Sequence, residues 1–393
     1  MRADSAAADT VRWPRALHER VEARVARGLR VCAGGDVALG TNLDTSWATR
    51  ASKSWRRPVA ALPDPDSLLA PLHPLFASAD VVLLNVEAAI GEGAVPPKCG
   101  EGSTACYALR MPPNVAAALR RVNDSAAVVG NVANNHARDA GPDGLDTTVA
   151  HLTSAGVLVT GFDTLATIAT TPYGDTVAIL GFSTSGPPDA RDLAAVRRHV
   201  ARAAERWPRV IVTMHLGAEG VKAQRTRDST ETFYGTDRGN PVRFADAALR
   251  SGADLVIGHG PHVMRAMRFV NGRLVAYSLG NLLTYGPFSM RAPLDRSGVL
   301  CATLADSGTV TDARLLATRQ VPPGGVRPDP TGRAGRIADS LARLDFPRDG
   351  ARVLRDGTVV PRRPAAAPRP PARRPRPTPS RPRASKPAPG RER

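Results

Sequence analysis

Lysine is almost missing from this 393-residue chain: only Lys53, Lys98, Lys222 and Lys386 stand among its 53 lysines and arginines. Aromatic residues make up 4% of the sequence, and none falls in residues 361–393. That excludes base stacking on the C-terminal segment. No stretch reaches the ~18–20 apolar residues of a membrane-spanning helix, and the first thirty residues hold no apolar run of signal-peptide length. As written, the chain reads as cytoplasmic, with cell-envelope association left to partners or to a different start. Cysteine is scarce, with four in all. Cys32 and Cys301 lie in apolar strand-like runs and read as buried thiols. Cys99 and Cys106 bracket a Gly/Ser-rich loop. Either they close a small disulfide, which implies an oxidising compartment, or they are two free loop thiols.

Arginine is what the chain has in excess. The formal net charge is +17, yet residues 361–393 alone carry eleven basic residues against the single acid Glu392, interspersed with eleven prolines. A segment of that composition buries no core and reads as a disordered basic tail. It suits contact with anionic surfaces through salt-dependent arginine contacts; sequence-specific nucleic-acid binding is not expected. Heavy use of Arg, Ala, Pro and Gly also reflects a GC-rich genome, which discounts the net charge as a functional signal.

Periodicity divides the rest. Residues 1–28 read as a helical or flexible segment, with Trp13, Leu17, Val21 and Val25 at four-residue spacing. Residues 29–320 read as the folded domain, 321–360 as a poorly ordered extension with one small helix at 336–346, and 361–393 as the tail. Inside the domain, strands are predicted at 80–85, 126–131, 157–160, 176–182, 209–214 and 254–258. Helices are predicted at 66–77, 113–121, 142–155, 189–206 and 241–251. Their alternation points to parallel α/β structure. Later strands at 265–270, 273–278, 298–305 and 309–317 are separated by tight turns such as Asn271-Gly272 and Ser307-Gly308, a hairpin signal. Two sheets packed face to face with helices outside are expected.

Chemistry gathers at the carboxyl ends of these strands, where open α/β sheets bind ligands. Gly35-Asp36 ends the first strand. Asn85-Val86-Glu87 follows Val81-Val82-Leu83-Leu84, and Asn134-Asn135-His136 follows Ala126-Ala127-Val128-Val129. His215-Leu216-Gly217-Ala218-Glu219 follows Val210-Ile211-Val212-Thr213, and Gly258-His259-Gly260-Pro261-His262 follows Asp254-Leu255-Val256-Ile257. Tyr277-Ser278-Leu279-Gly280-Asn281 closes the series. A lone Asp36 is more often a turn or cap residue, but the clusters together point to a centre for divalent metal. Imidazoles with carboxylates and amides suit Mn, Fe, Zn or Co. Such ions lower the pKa of a bound water and neutralise a phosphoryl group under in-line attack. Lys98, Arg110, Arg225 and Arg227 are candidates for holding an anion.

The order and spacing of these six motifs resemble the CapA family, bacterial poly-γ-glutamate capsule synthesis proteins, over residues 29–318. The resemblance implies a calcineurin-like metallophosphoesterase fold, a four-layer α/β/β/α sandwich of two mixed sheets. It implies Asp36, Glu87, Asn135, His215, His259 and His262 as ligands for one or two ions. It further implies His136 with Asp139 as the catalytic acid pair, and Asn134, Glu219 and Asn281 as support. The implied activity is phosphoesterase-type hydrolysis, with an anionic small molecule or poly-γ-glutamate as ligand and capsule-synthesis subunits as partners. A non-catalytic accessory role in polymer assembly is the alternative. Ala38 stands where metallophosphoesterases place a histidine, and Leu216 stands where the CapA family commonly places tryptophan.

Overall fold

A computed structural model describes residues 28–40, 62–92, 107–285, 289–322 and 324–362. The expected N-terminal helix, Lys98, Cys99 and Cys106, and all of the tail beyond 362 lie outside the described residues, as do most of the loops 44–66 and 91–112.

The chain begins with β1 (Leu29–Ala38), α1 (Pro65–Leu69), α2 (His73–Phe76), β2 (Val81–Val86), β3 (Ala89–Ile90), β4 (Arg110–Met111), α3 (Asn114–Arg120) and β5 (Ala127–Asn131). It continues through α4 (Gly144–Ser154), β6 (Leu158–Thr160), β7 (Thr167–Thr170), β8 (Thr176–Ser183), α5 (Leu193–Arg206) and β9 (Val210–His215). Next come β10 (Thr232–Phe233), β11 (Thr236–Asp237), α6 (Pro241–Arg250), β12 (Leu255–His259), β13 (Met267–Val270) and β14 (Arg273–Ala276). The last elements are β15 (Asn281–Thr284), β16 (Arg296–Leu304), β17 (Val310–Val321), β18 (Gly325–Pro328), α7 (Arg333–Asp345), β19 (Ala351–Val353) and β20 (Val359–Pro361). The single helix expected over 66–77 is broken, because Pro71 and Pro74 each remove a backbone donor. Asp192 and Asn240 cap α5 and α6 with their side-chain oxygens.

One sheet runs β18-β17-β16-β1-β2-β5-β6, with β15 also paired to β1; the other runs β13-β14-β12-β9-β8-β7. Both are mixed. The strands β1, β2, β5 and β6 are parallel, as are β8, β9, β12 and β14, and antiparallel strands complete the edges. The β13–β14 hairpin turns at Asn271-Gly272 with φ values of 50° and 77°, the left-handed pair that a two-residue turn requires.

Strand alternation sorts side chains into separate cores. Val31, Ala33, Val81 and Leu83 of one sheet pack with Val177, Ile179, Ile211 and Ile257 of the other. Val82, Leu84 and Val128 point the opposite way, toward α1, α3 and α4. Leu180, Val210, Val212 and Val256 meet α5 and α6. Residues 321–360 correct the expectation of a poorly ordered extension. They form β18, α7, β19 and β20, and Ala334, Ala338, Ala351 and Val359 are buried in the core between the sheets. The small helix expected at 336–346 is the longer α7, which buries Ala334, Ala338, Leu341 and Ala342 along one face.

A second correction concerns the thiols. Cys32 and Cys301 are register partners across β1 and β16, and they form a disulfide spanning 269 residues of sequence. Closing so long a loop constrains the unfolded chain by about 3–5 kcal/mol. The double variant Cys32→Ala with Cys301→Ala is expected to lose that much in urea unfolding. The same unfolding midpoint with and without reductant in the parent protein would contradict the bridge.

Candidate metal centre

Strand register does most of the assembly. Asp36 on β1 pairs with Asn85 on β2, which pairs with Asn131 on β5, so three polar residues stand side by side at one sheet end. Asn281 at the start of β15 is the other neighbour of Asp36. In the second sheet, His215 and His259 are register partners and end β9 and β12. Gly35 is obligatory: a Cβ there would lie 1.9 Å from the carbonyl oxygen of Gly280. The Asp36 amide donates to that same oxygen at 2.9 Å, and the β1 register slips at this point. Irregularities of this kind re-aim side chains.

Asp36, Glu87 and His215 are buried, and each offers one ligand atom within 4.8 Å of the other two. His215 Nε2 lies 3.5 Å from Glu87 Oε1, and His259 Nδ1 lies 3.5 Å from Asp36 Oδ1. His262 bridges the set. Its Nδ1 is 3.1 Å from Asp36 Oδ2 and 3.0 Å from Asn281 Oδ1, while its Nε2 is 3.5 Å from Glu87 Oε1 and 3.6 Å from Glu219 Oε2. His262 holds a left-handed backbone, φ 59°, a strained state that surrounding structure must enforce. Gly260 makes room beside it, since a Cβ there would press on the His215 ring at 3.1 Å.

Burial sets the charge pattern. Burial alone would raise the Asp36 pKa, but the adjacent His259 and His262 imidazoles override it and hold the carboxyl below its usual range. Glu87 is pushed well up by burial and by the adjacent Asp36 charge. Burial pulls His215 well down, keeping it neutral as a ligand must be. Burial opposes the charge on His262, yet Glu87, Asp36 and Glu219 push its pKa up to about 10.

The residues fit a transition-metal ion. Glu87 Oε1, His215 Nε2 and both ring nitrogens of His259 are buried without a hydrogen-bond partner among the described residues. Buried polar atoms are rarely left so, and here they converge with an ionised carboxylate. Carboxylate and imidazole donors match Mn, Fe, Zn or Co. Ala38 is packed in an apolar cluster and supplies no donor.

The third motif forms an adjoining wall. The Asn134 side chain donates to the Val86 carbonyl at 2.9 Å, and its oxygen accepts the His136 amide at 3.0 Å. His136 Nδ1 lies 2.6 Å from Asp139 Oδ2, both buried, and Asp139 also accepts the Leu109 amide at 2.9 Å. Asn135 is half-buried on the same turn. Glu219 pairs with Arg238, which is almost fully buried and whose Nε has no hydrogen-bond partner among the described residues.

Three parts of the site escaped the sequence reading as functional groups. Asn85 donates to Asp36 Oδ1 at 2.8 Å, lies 3.3 Å from His215 Nδ1, and accepts from Asn131 at 2.9 Å. Arg238 is the second. The third is the fully buried Arg265 with the half-buried Glu231, bonded at 2.9 and 2.7 Å, in which Glu231 also accepts the Ala218 amide. Polar residues ending the apolar runs at Asn85 and Asn131 were the available signal; Arg238 and Glu231 had none.

The family described as bacterial capsule synthesis protein PGA_cap matches residues 30–285. The PGA biosynthesis protein CapA of Bacillus subtilis (strain 168) is 28% identical over 174 residues, covering 39% of this chain and 41% of that protein. The chain thus matches less than half the length of that relative. A hypothetical protein from Thermus thermophilus superposes with TM-score 0.43 at 14% identity, over 75% of this chain and 100% of its own. The 5'-nucleotidase precursor from the same organism gives TM-score 0.33 at 13% identity, over 80% of this chain and 58% of its own.

The His262 charge carries a pH signature in metal-free protein. A pKa raised on folding contributes stability that is full below the ordinary histidine value of about 6.5 and is lost as pH rises through the folded value. For chelator-treated protein, the thermal midpoint should fall between neutral pH and about 10. His262→Gln should flatten that slope. An unchanged slope in the variant would refute the assignment.

Proposed function

The chain belongs to the bacterial capsule synthesis protein family PGA_cap, and on that premise we propose that it is a metal-dependent phosphoesterase-type hydrolase serving poly-γ-glutamate capsule biosynthesis. One observation carries the reading: the buried Asp36, Glu87 and His215 cluster, whose donor atoms converge without hydrogen bonds of their own at Glu87 Oε1 and His215 Nε2. Asp36, Glu87, His215, His259 and His262, with Asn135 from the neighbouring turn, would hold the ion or ions. Ala38 in the apolar core favours one tightly held ion over two equal ones. When bound, the metal supplies Lewis-acid polarisation and an acidified water.

The chain's own residues do the rest. Asp139 grips His136 through Nδ1, which fixes the ring and sends the transferable proton through Nε2 toward a leaving oxygen. Asn134 steadies that turn, and Asn281 and Glu219 orient His262 from either side. Arg238, paired with Glu219 beside His262, would supply positive charge toward an anionic substrate. The two sheets, with helices packed outside them, fit the four-layer α/β/β/α arrangement of metallophosphoesterases. The Cys32–Cys301 bridge supports work in an oxidising compartment, at the cell envelope. Partners there would be an anionic ligand and other capsule-synthesis subunits.

Metal analysis paired with hydrolysis of a generic aryl phosphate tests the reading. Glu87→Ala and His262→Ala should lose bound metal and turnover together. His136→Ala should keep the metal and lose roughly a hundredfold or more in kcat. Parent protein with neither metal nor turnover would defeat the proposal. Metal without turnover would favour the accessory role, binding polymer or partner at the same site.

A further inference from the structure

We propose that the cleft beside the Ala218–Glu219 turn is a subsite for a second anionic group of the substrate, a carboxylate or phosphate separated from the one at the metal centre. The inference rests on the hydrolase-site reading for its location, and on four observations for its chemistry. The cleft has a volume of about 290 Å³ and is lined by Lys222, Arg225, Arg227, Ser229 and Thr232 together with Ala218. It abuts the centre through the chain itself: Ala218 lines the cleft, and the next residue, Glu219, lies 3.6 Å from His262 Nε2. The Gly220 amide donates to the Pro261 carbonyl at 2.9 Å, tying the cleft wall to the residue preceding His262.

The charges are arranged for a ligand. Glu231, the acid in the lining, is already held by both terminal nitrogens of Arg265. Arg225 is engaged by Asp345. Lys222 and Arg227 are exposed and form no ion pair among the described residues. Lys222 is one of only four lysines in the chain. Two unmatched cations beside two hydroxyls make an oxyanion pocket. The wall is also rigid, because the fully buried Arg265 bonds the Ala218 carbonyl at 3.2 Å while Glu231 takes the Ala218 amide. A larger cavity of about 650 Å³, between Pro293 and Arg336, is lined by no residue of the metal centre and carries no comparable link to it.

Calorimetric titration of the full chain with triglutamate and, separately, with tripolyphosphate tests the subsite without requiring turnover. The double variant Lys222→Ala with Arg227→Ala should weaken binding of at least one probe by about tenfold or more. Loss for triglutamate alone assigns the subsite to carboxylates, and loss for tripolyphosphate alone assigns it to phosphates. Arg250→Ala removes one positive charge from the exposed face of α6 and serves as the control. Unchanged binding of both probes in the double variant overturns the proposal, as does an equal loss in Arg250→Ala or a parent protein that binds neither. Bound metal, measured in the same samples, should be unchanged in the double variant. Parent protein that binds a probe through Lys222 and Arg227 yet hydrolyses nothing would sink the hydrolase reading and leave the subsite standing.

Discussion

Two carboxylates buried against one another impose the constraint on which this architecture depends. Asp36 and Glu87 are both buried, and neither has bulk water to dissipate its charge. Burying one carboxylate is costly, and a second beside it raises that cost. Positive charge must therefore be supplied locally. Without metal, His262 does this from between the two acids, at 3.1 Å from one and 3.5 Å from the other. Its left-handed backbone is understandable on these terms: the ring reaches Asp36, Asn281, Glu87 and Glu219 from a turn that an ordinary conformation would aim elsewhere. A divalent ion would meet the same electrostatic demand more fully. Proton and metal then compete for one cluster.

Geometry that exact requires support that does not move, and the amide network supplies it. Asn85 holds Asp36, contacts His215 and is itself held by Asn131, all at hydrogen-bond distance inside the protein. Gly161 and Gly181 press against Asn131 so closely that a Cβ on Gly181 would lie 2.2 Å from its side-chain oxygen. The network therefore spans both sheets. Residues from β1, β2, β5, β8 and β9 meet within it. A neutral amide suits this place, since it can donate to a carboxylate on one edge and accept on the other without adding charge.

Much of this is legible in the amino-acid sequence. Apolar strands ending in Asp36, Glu87, His215 and His259 pointed to a meeting of these polar side chains, because the register of parallel strands aligns their carboxyl ends. Alternation of strands and helices, and the Asn271-Gly272 turn, were equally readable. The hidden parts share a physical reason. Cys32 and Cys301 are 269 residues apart, so their pairing depends on β1 and β16 being neighbours, which local pattern cannot reveal. Helix α7 was readable only in part, over 336–346, because its docking against the sheets through Ala334, Ala338 and Leu341 is a tertiary contact that local pattern does not show. Arg265 and Glu231 look like ordinary surface charges in the sequence and become an ion pair anchored on a buried arginine only through tertiary packing.

That pair also explains why the segment from Gly217 to Arg238 holds one arrangement. A long connection between β9 and α6 would ordinarily be mobile surface chain. Here Arg265 is fully buried beneath it and reaches Glu231 and the Ala218 carbonyl, while the Gly217 amide donates to the Arg238 carbonyl at 2.7 Å. The loop is closed on itself by these bonds, and its base is fastened to the strand end that carries His215. A buried ion pair of this type adds little net stability, since desolvation offsets its Coulomb gain. What it does supply is a single arrangement. Glu219 is presented to His262 and Arg238, and the basic cleft beside the same turn keeps a fixed place relative to them. Rigidity at that turn would let one substrate be gripped at both of the proposed points while its reacting bond stays beside His136.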